Sequence, residues 1–198
     1  MLLTLCGNVT HPGVYEVNLG ARFGDVLAAA GGTASPPAGA LLGGYFGSWV
    51  PSHQLAQAPL DPDRLRSAMG ASLGCGVVAV LPRDGCGIVE ATRILIYLTA
   101  ESAAQCGPCI NGLTALSEAM ERIAASQAAP GDLDKVRRWA VMVRGRGACH
   151  HPDGAVGQLE SALAAFGVHL PVHLAGRACH GHTATGFPPP PPPGDRWR

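Results

Sequence analysis

Charge is scarce in this chain and neither sign prevails: 14 basic residues meet 14 acidic ones in 198. That balance excludes a general attraction to nucleic acid or to an anionic membrane surface, and leaves small molecules or other proteins as partners. A long apolar run is also missing. Ile88 to Ala100 is apolar for about one helix length, but it contains Glu90 and Arg93 and falls short of the roughly 20 residues of a membrane span. It reads as a buried helix, and an integral membrane protein is not expected. Met1 to Cys6 has neither the basic start nor the length of an export leader and reads as a strand. Seven cysteines, odd in number and irregularly spaced, do not make a secreted disulfide framework, so a reducing, cytoplasmic setting is expected. No internal repeat is present. No glycine-rich phosphate loop is found either, since Gly31-Gly32 and Gly43-Gly44 are better explained as a helix cap and a turn.

What is present is enough apolar material for a real core, 47% of residues, arranged in two styles. Leu2 to Cys6 and Val14 to Val17 are short β-type runs around the turn formers of Gly7 to Gly13, which suits a hairpin. Arg22 to Ala30 predicts a helix closed by Gly31-Gly32, and Ala40 to Leu42 another strand before the aromatic group Tyr45, Phe46 and Trp49. These make a mixed unit over residues 1–60. Residues 61–86 read as a connector that contains Asp61-Pro62-Asp63 and a continuous apolar strand, Val77 to Leu81, of the kind buried on both faces. From residue 87 the period becomes helical, with helices expected over 87–102, 110–126, 132–144 and 153–166 and Asp132 as an N-cap. Residues 87–176 are thus a helical bundle. Residues 177–198, with Phe187 followed by Pro188 to Pro193, predict a disordered, solvated tail. The fold class is α+β.

Chemistry concentrates in the cysteines. Cys106 and Cys109 form a CxxC pair where the first bundle helix stops and the next begins. Amides at such a helix start favour thiolates or an anionic cluster. Cys149 lies in a later helix–helix loop, between Arg144 to Ala148 and His150-His151-Pro152, from which a bundle can carry it to the pair. Thiolates so grouped hold iron–sulfur clusters or structural zinc. Cys6, Cys75 and Cys86 read as structural, and an unbroken helix over 87–102 would leave Cys86 roughly 25 Å from the CxxC loop. Cys179, His150, His151, His180 and His182 are freer to approach that loop. The tetrapeptide Cys106-Gly107-Pro108-Cys109 is also that of dithiol oxidoreductases. There, however, a strand and usually a tryptophan precede it, whereas Gln105 and a helical segment precede it here.

With these residues in view, the chain resembles the C-terminal part of the flavoprotein subunit of NADH:quinone oxidoreductase (respiratory complex I). Cys6-Gly7-Asn8-Val9, His11 to Val17 and Ala29 to Gly32 are similar to that family's soluble-ligand-binding β-grasp (SLBB) domain. Leu73 to Val78, Glu101-Ser102 and Gln105 to Cys109 resemble its iron–sulfur helical domain. The family's cluster motif reads Glu-Ser-Cys-Gly-Gln-Cys-x-Pro-Cys-Arg, with a fourth cysteine further along, and these hold a 4Fe-4S cluster that passes electrons from flavin onward. The resemblance implies metal ligation by Cys106, Cys109 and Cys149. The first motif cysteine is replaced by Ala103 and the arginine by Ile110, which leaves three outcomes: a 4Fe-4S cluster with one non-cysteine or exogenous ligand, a 3Fe-4S cluster, or a vestigial fold without metal.

The family's NADH- and FMN-binding domain lies N-terminal to the β-grasp unit, so neither FMN nor NAD is expected on this chain, nor NADH oxidation by it alone. The implied function is an electron-transfer module, partnered by a redox protein or a larger oxidoreductase complex and peripheral to a membrane complex. The alternatives are a metal-free binding or assembly protein that works through the β-grasp unit, and a dithiol oxidoreductase.

Overall fold

The computed structural model describes residues 1–177 and Cys179. The remainder of the Pro-rich segment, with His180 and His182, lies outside the described residues. Strands β1 (Leu2–Gly7) and β2 (Gly13–Glu16) form the expected antiparallel hairpin, with Leu3 opposite Tyr15. Helix α1 (Phe23–Ala29) follows and ends as the paired glycines require. Gly31 and Gly32 take φ of 80° and 79°, and the Gly32 N–H donates to the Leu27 carbonyl at 2.8 Å, a closure that only glycine makes without steric cost. Strands β3 (Pro37–Leu42) and β4 (Ser48–Pro51) then pair antiparallel. Two short helices come next, α2 (Ser52–Leu55) and α3 (Pro62–Met69), and lead to β5 (Val77–Pro82).

The sheet order is β2-β1-β5-β3-β4, with β5 parallel to β1 and antiparallel to β3. A hairpin, a crossing helix and a returning parallel central strand constitute the β-grasp arrangement. The strand assigned from the sequence to a connector therefore sits in the middle of the sheet. Its continuous apolar character demands this, because a strand buried on both faces needs a neighbour on each side and a layer above and below. Val78 and Val80 join Leu3, Leu5, Ala40, Leu42 and Val50 on the face covered by Phe23 of α1 and Leu65 of α3. Ala79 and Leu81 join Leu41 and Trp49 on the opposite face, which meets the bundle. Each fully buried leucine here contributes about 1.5–3 kcal/mol relative to exposure.

The bundle consists of α4 (Gly87–Ala100), α5 (Thr114–Ala124), α6 (Asp132–Val143) and α7 (His151–Ala165), and a short α8 (Leu170–Leu174) ends the helical series. Helix α4 carries Ile88, Ala91 and Leu95 fully buried, and Phe166, just beyond α7, packs edge-on to Trp49 at 5.3 Å. The predicted helix over 110–126 begins as a π-helical turn, Pro108–Leu113, before α5. Asp132 does not cap α6. Gly131, at φ 79°, occupies the cap, and Asp132 is the first helical residue, buried and joined to Arg122 of α5 at 2.9 Å. Among the described residues no helix is long and apolar enough to cross a membrane.

Candidate metal centre

Helix α4 ends because its sequence ceases to supply buried positions. Glu101 is the C-cap, and Ala103, Ala104 and Gln105 are exposed. Ala104 adopts φ 50°, which turns the chain away from the helix axis. Gly107 and Pro108 then start a new helical segment, Pro108 at a position where a missing N–H leaves no bond unmade. This segment opens with a π turn, an irregularity that places Cys109 inside the bundle, 5% exposed, while Cys106 stays at its edge. The N–H groups of Cys109 and Ile110 both donate to the Cys106 carbonyl, at 3.1 and 3.0 Å.

The loop between α6 and α7 reaches the same point. The Cys106 sulfur accepts the backbone N–H of Ala148 and that of Cys109, and these bonds lower its pKa. Burial pushes the Cys109 thiol up to about 11, and the neighbouring thiols of Cys106 and Cys149 push in the same direction. All three cysteines singled out in the sequence thus belong to one electrostatic neighbourhood. The loop is held by its own hydrogen bonds. Asp153 accepts from the Gly145 N–H at 2.7 Å, and Arg144 pairs with Glu160. The flanking histidines do not join the thiols: His151 bonds the Leu98 carbonyl through Nε2 at 2.8 Å and packs edge-on to Phe46, while exposed His150 faces Asp153.

Three thiols in one neighbourhood, with backbone N–H groups directed at the Cys106 sulfur, are soft donors of the chemical kind that iron–sulfur clusters use. Ala103, where a fourth thiolate would stand, offers only a carbonyl, and this accepts from the Gln105 side chain at 3.1 Å. Beside the CxxC turn opens a groove of about 480 Å³ lined by Pro108, Asn111, Trp139, Met142 and Arg146 among others. Ile110, Val141 and Met142 add exposed apolar surface at the same end.

Cys86 and Cys179 fall elsewhere. Cys86 caps the opposite end of α4, fully buried, and Cys179 lies against it together with His169 rather than near the CxxC loop. No sequence pattern announces this grouping, because it depends on the chain folding back after α8.

Comparison with known proteins agrees with this architecture. Residues 2–44 match the SLBB domain, and residues 90–173 match the family described as the NADH-ubiquinone oxidoreductase-F iron-sulfur binding region. The NADH-quinone oxidoreductase F 2 subunit of Rhizobium meliloti is 30% identical over 91% of this chain and 43% of its own length. The corresponding F protein of Streptomyces coelicolor is 28% identical over 90% of this chain and 40% of its own. Among solved structures, the air-oxidized NAD+-reducing [NiFe]-hydrogenase superposes with a TM-score of 0.76 at 26% identity, over 87% of this chain and 29% of that one. The chain therefore spans about two-fifths of the length of these curated relatives. With residues 2–44 matching the SLBB domain and residues 90–173 the iron–sulfur binding region, the chain is similar over about nine-tenths of its own length to the NADH-quinone oxidoreductase F proteins.

Proposed function

We propose that this chain is the electron-transfer module of an NADH-dehydrogenase-like oxidoreductase, with an iron–sulfur cluster held by Cys106, Cys109 and Cys149. The observation that carries the reading is the meeting of the α6–α7 loop with the CxxC turn, where Ala148 donates its N–H to the Cys106 sulfur and Cys149 stands close enough to raise the Cys109 pKa. When bound, the cluster would supply one-electron exchange without bond chemistry. The protein's own contribution is to hold and tune. Buried Cys109, Leu113 and Leu116 exclude water on the inner side, and backbone N–H groups stabilise negative charge on sulfur. Ala103 leaves one corner to a non-cysteine ligand, which makes a 4Fe-4S cluster with an exogenous ligand or a 3Fe-4S cluster the expected forms. The apolar end around Ile110, Val141 and Met142 suits docking of a redox partner protein or a neighbouring subunit, in a cytoplasmic complex peripheral to the membrane. NADH and FMN chemistry is assigned to a nucleotide-binding unit other than these residues.

A dithiol–disulfide function is the second reading. The opposed shifts of Cys106 and Cys109, one thiol lowered and its partner raised, are what an exchanging pair has. The helix α4 preceding the pair and the third thiol at hand favour the cluster. Anaerobic reconstitution followed by iron and sulfide analysis and electron paramagnetic resonance decides between them. The cluster reading expects bound iron and sulfide that are lost in Cys109→Ser and in Cys149→Ser. It also expects a changed spectrum in Ala103→Cys, in which a fourth thiolate completes the set. A chain that binds no iron, or that binds it equally without Cys149, refutes the reading. Disulfide-reductase activity that needs only Cys106 and Cys109 would establish the dithiol alternative.

A further inference from the structure

At the end of α4 remote from the CxxC turn, the ligand atoms of Cys86, His169 and Cys179 all lie within 4.8 Å of one another. A second imidazole adjoins Cys86: His173 Nε2 is 3.2 Å from its sulfur, and within the group of three His169 Nδ1 is 3.4 Å from the Cys179 sulfur. Cys86 and His173 are fully buried and Cys179 nearly so. The edges of a tetrahedral zinc site with two sulfur and two nitrogen ligands, at bond lengths of about 2.3 and 2.0–2.1 Å, are roughly 3.3–3.8 Å long. The observed sulfur–nitrogen contacts have nearly that length.

The tautomer of His173 can be read from its other side. Ser126 Oγ donates its single proton to the Arg177 carbonyl at 2.8 Å, and it stands 3.3 Å from His173 Nδ1. It must therefore accept from Nδ1–H, which leaves the Nε2 lone pair directed at Cys86. An outer hydrogen bond that fixes the ring in this way is what orients an imidazole toward a metal. Charge also favours a divalent ion, because two thiolates and one zinc make a neutral unit that can be buried, whereas an isolated buried thiolate cannot be.

We propose that Cys86, Cys179, His169 and His173 form a structural zinc site, distinct from the iron–sulfur centre, that fastens the segment after α8 to the start of α4. Binding is Zn²⁺ plus two thiols giving a neutral bis-thiolate complex and two protons, so affinity falls on acidification. The site is closed by four protein ligands and performs no catalysis. It does not depend on the electron-transfer reading, and either can fail without the other.

The test uses the full chain carrying Cys106→Ser, Cys109→Ser and Cys149→Ser, so that the other metal-binding thiols are silent. About one zinc per chain is expected, replaceable by cobalt(II) with the visible bands of a tetrahedral thiolate site. Further change of Cys86 and Cys179 to Ser abolishes that binding, and His169→Ala, at the partly buried ligand, weakens it by about tenfold or more. X-ray absorption at the zinc edge on the same background variant should show two sulfur and two nitrogen neighbours, and loss of zinc in Cys86→Ser alone keeps the proposal testable if the double change fails to fold. Zinc retained without Cys86 and Cys179, no zinc in the background variant when it is folded, a shell of three or four sulfurs, or a Cys86–Cys179 disulfide in anaerobically purified protein overturns it.

Discussion

At Ala104 the backbone takes φ 50°, a left-handed conformation in which the Cβ of an L-residue crowds the following carbonyl oxygen, at a cost of about 1–2 kcal/mol. The cluster motif of the resembling family has glycine at this place, so the chain departs from the motif twice in succession, at Ala103 in ligand chemistry and at Ala104 in backbone ease. Only the first departure is visible from side-chain chemistry; the second appears once the turn is seen. Replacing Ala104 by Gly removes the Cβ clash but adds unfolded-state entropy, and the balance should stabilise the fold by up to about 1 kcal/mol. Urea denaturation of the A104G variant measures it, and a loss of stability would contradict the strained turn. The same contrast runs through the cysteines. Cys106, Cys109 and Cys149 are legible because two stand in a fixed spacing and the third follows a helical hairpin. The meeting of Cys86 with Cys179 is illegible, since 93 positions separate them and nothing local encodes the return of the chain beyond α8.

Elements were legible where their pattern is set by burial and illegible where it is not. Helix α3 carries one buried residue, Leu65, in an otherwise exposed or partly exposed run, so no period shows. Its start is nonetheless marked by Asp61, whose side chain accepts the Arg64 N–H at 2.9 Å, and by Pro62 in the first turn. Strand β4 is four residues long and reads as an aromatic cluster. Between elements, the hairpin of α5 and α6 is clamped by Asp132. The Arg122 guanidinium beside it holds its carboxyl well below the usual carboxylate range, with help from the Ala129 N–H and Lys135, against the opposing effect of burial. A folded-state pKa depressed below the unfolded value of about 3.9 means that the clamp contributes fully at neutral pH and is lost as pH falls below about 4. Asp132→Asn should therefore destabilise the protein by about 2 kcal/mol near neutrality, the scale of hydrogen bonds to a charged group. The gap to wild type should narrow at about pH 3, where the carboxylate of the unfolded chain takes up a proton while that of the folded chain still resists it. Urea midpoints at the two pH values check this, and a gap independent of pH would assign the loss to packing.

Across the whole molecule, the sheet is the layer that both halves share. Its two faces separate the apolar residues strand by strand: Val78 and Val80 turn toward α1 and α3, Ala79 and Leu81 toward α4 and α7. The expected boundary at residue 60 follows the change from β-type to helical composition, but pairing ignores that change, because β5 arrives after α3 and separates the two hairpins it joins. Without β5, β1 loses its parallel neighbour at Thr4 to Gly7 and β3 its antiparallel neighbour at Pro37 to Leu42, and no direct β1–β3 pairing replaces them. Two isolated hairpins do not fold independently in water. A fragment of residues 1–60 should therefore be unfolded by circular dichroism and show collapsed amide dispersion in its NMR spectrum. The chain through Pro82 regains the sheet but exposes Leu41, Trp49, Ala79 and Leu81, and should associate through that face. The intact chain, with a core continuous from Leu41 to Leu159, should unfold in one transition by all probes. A well-dispersed spectrum from residues 1–60 would show that the first four strands carry their own stability and that β5 is an accessory to the sheet rather than its centre.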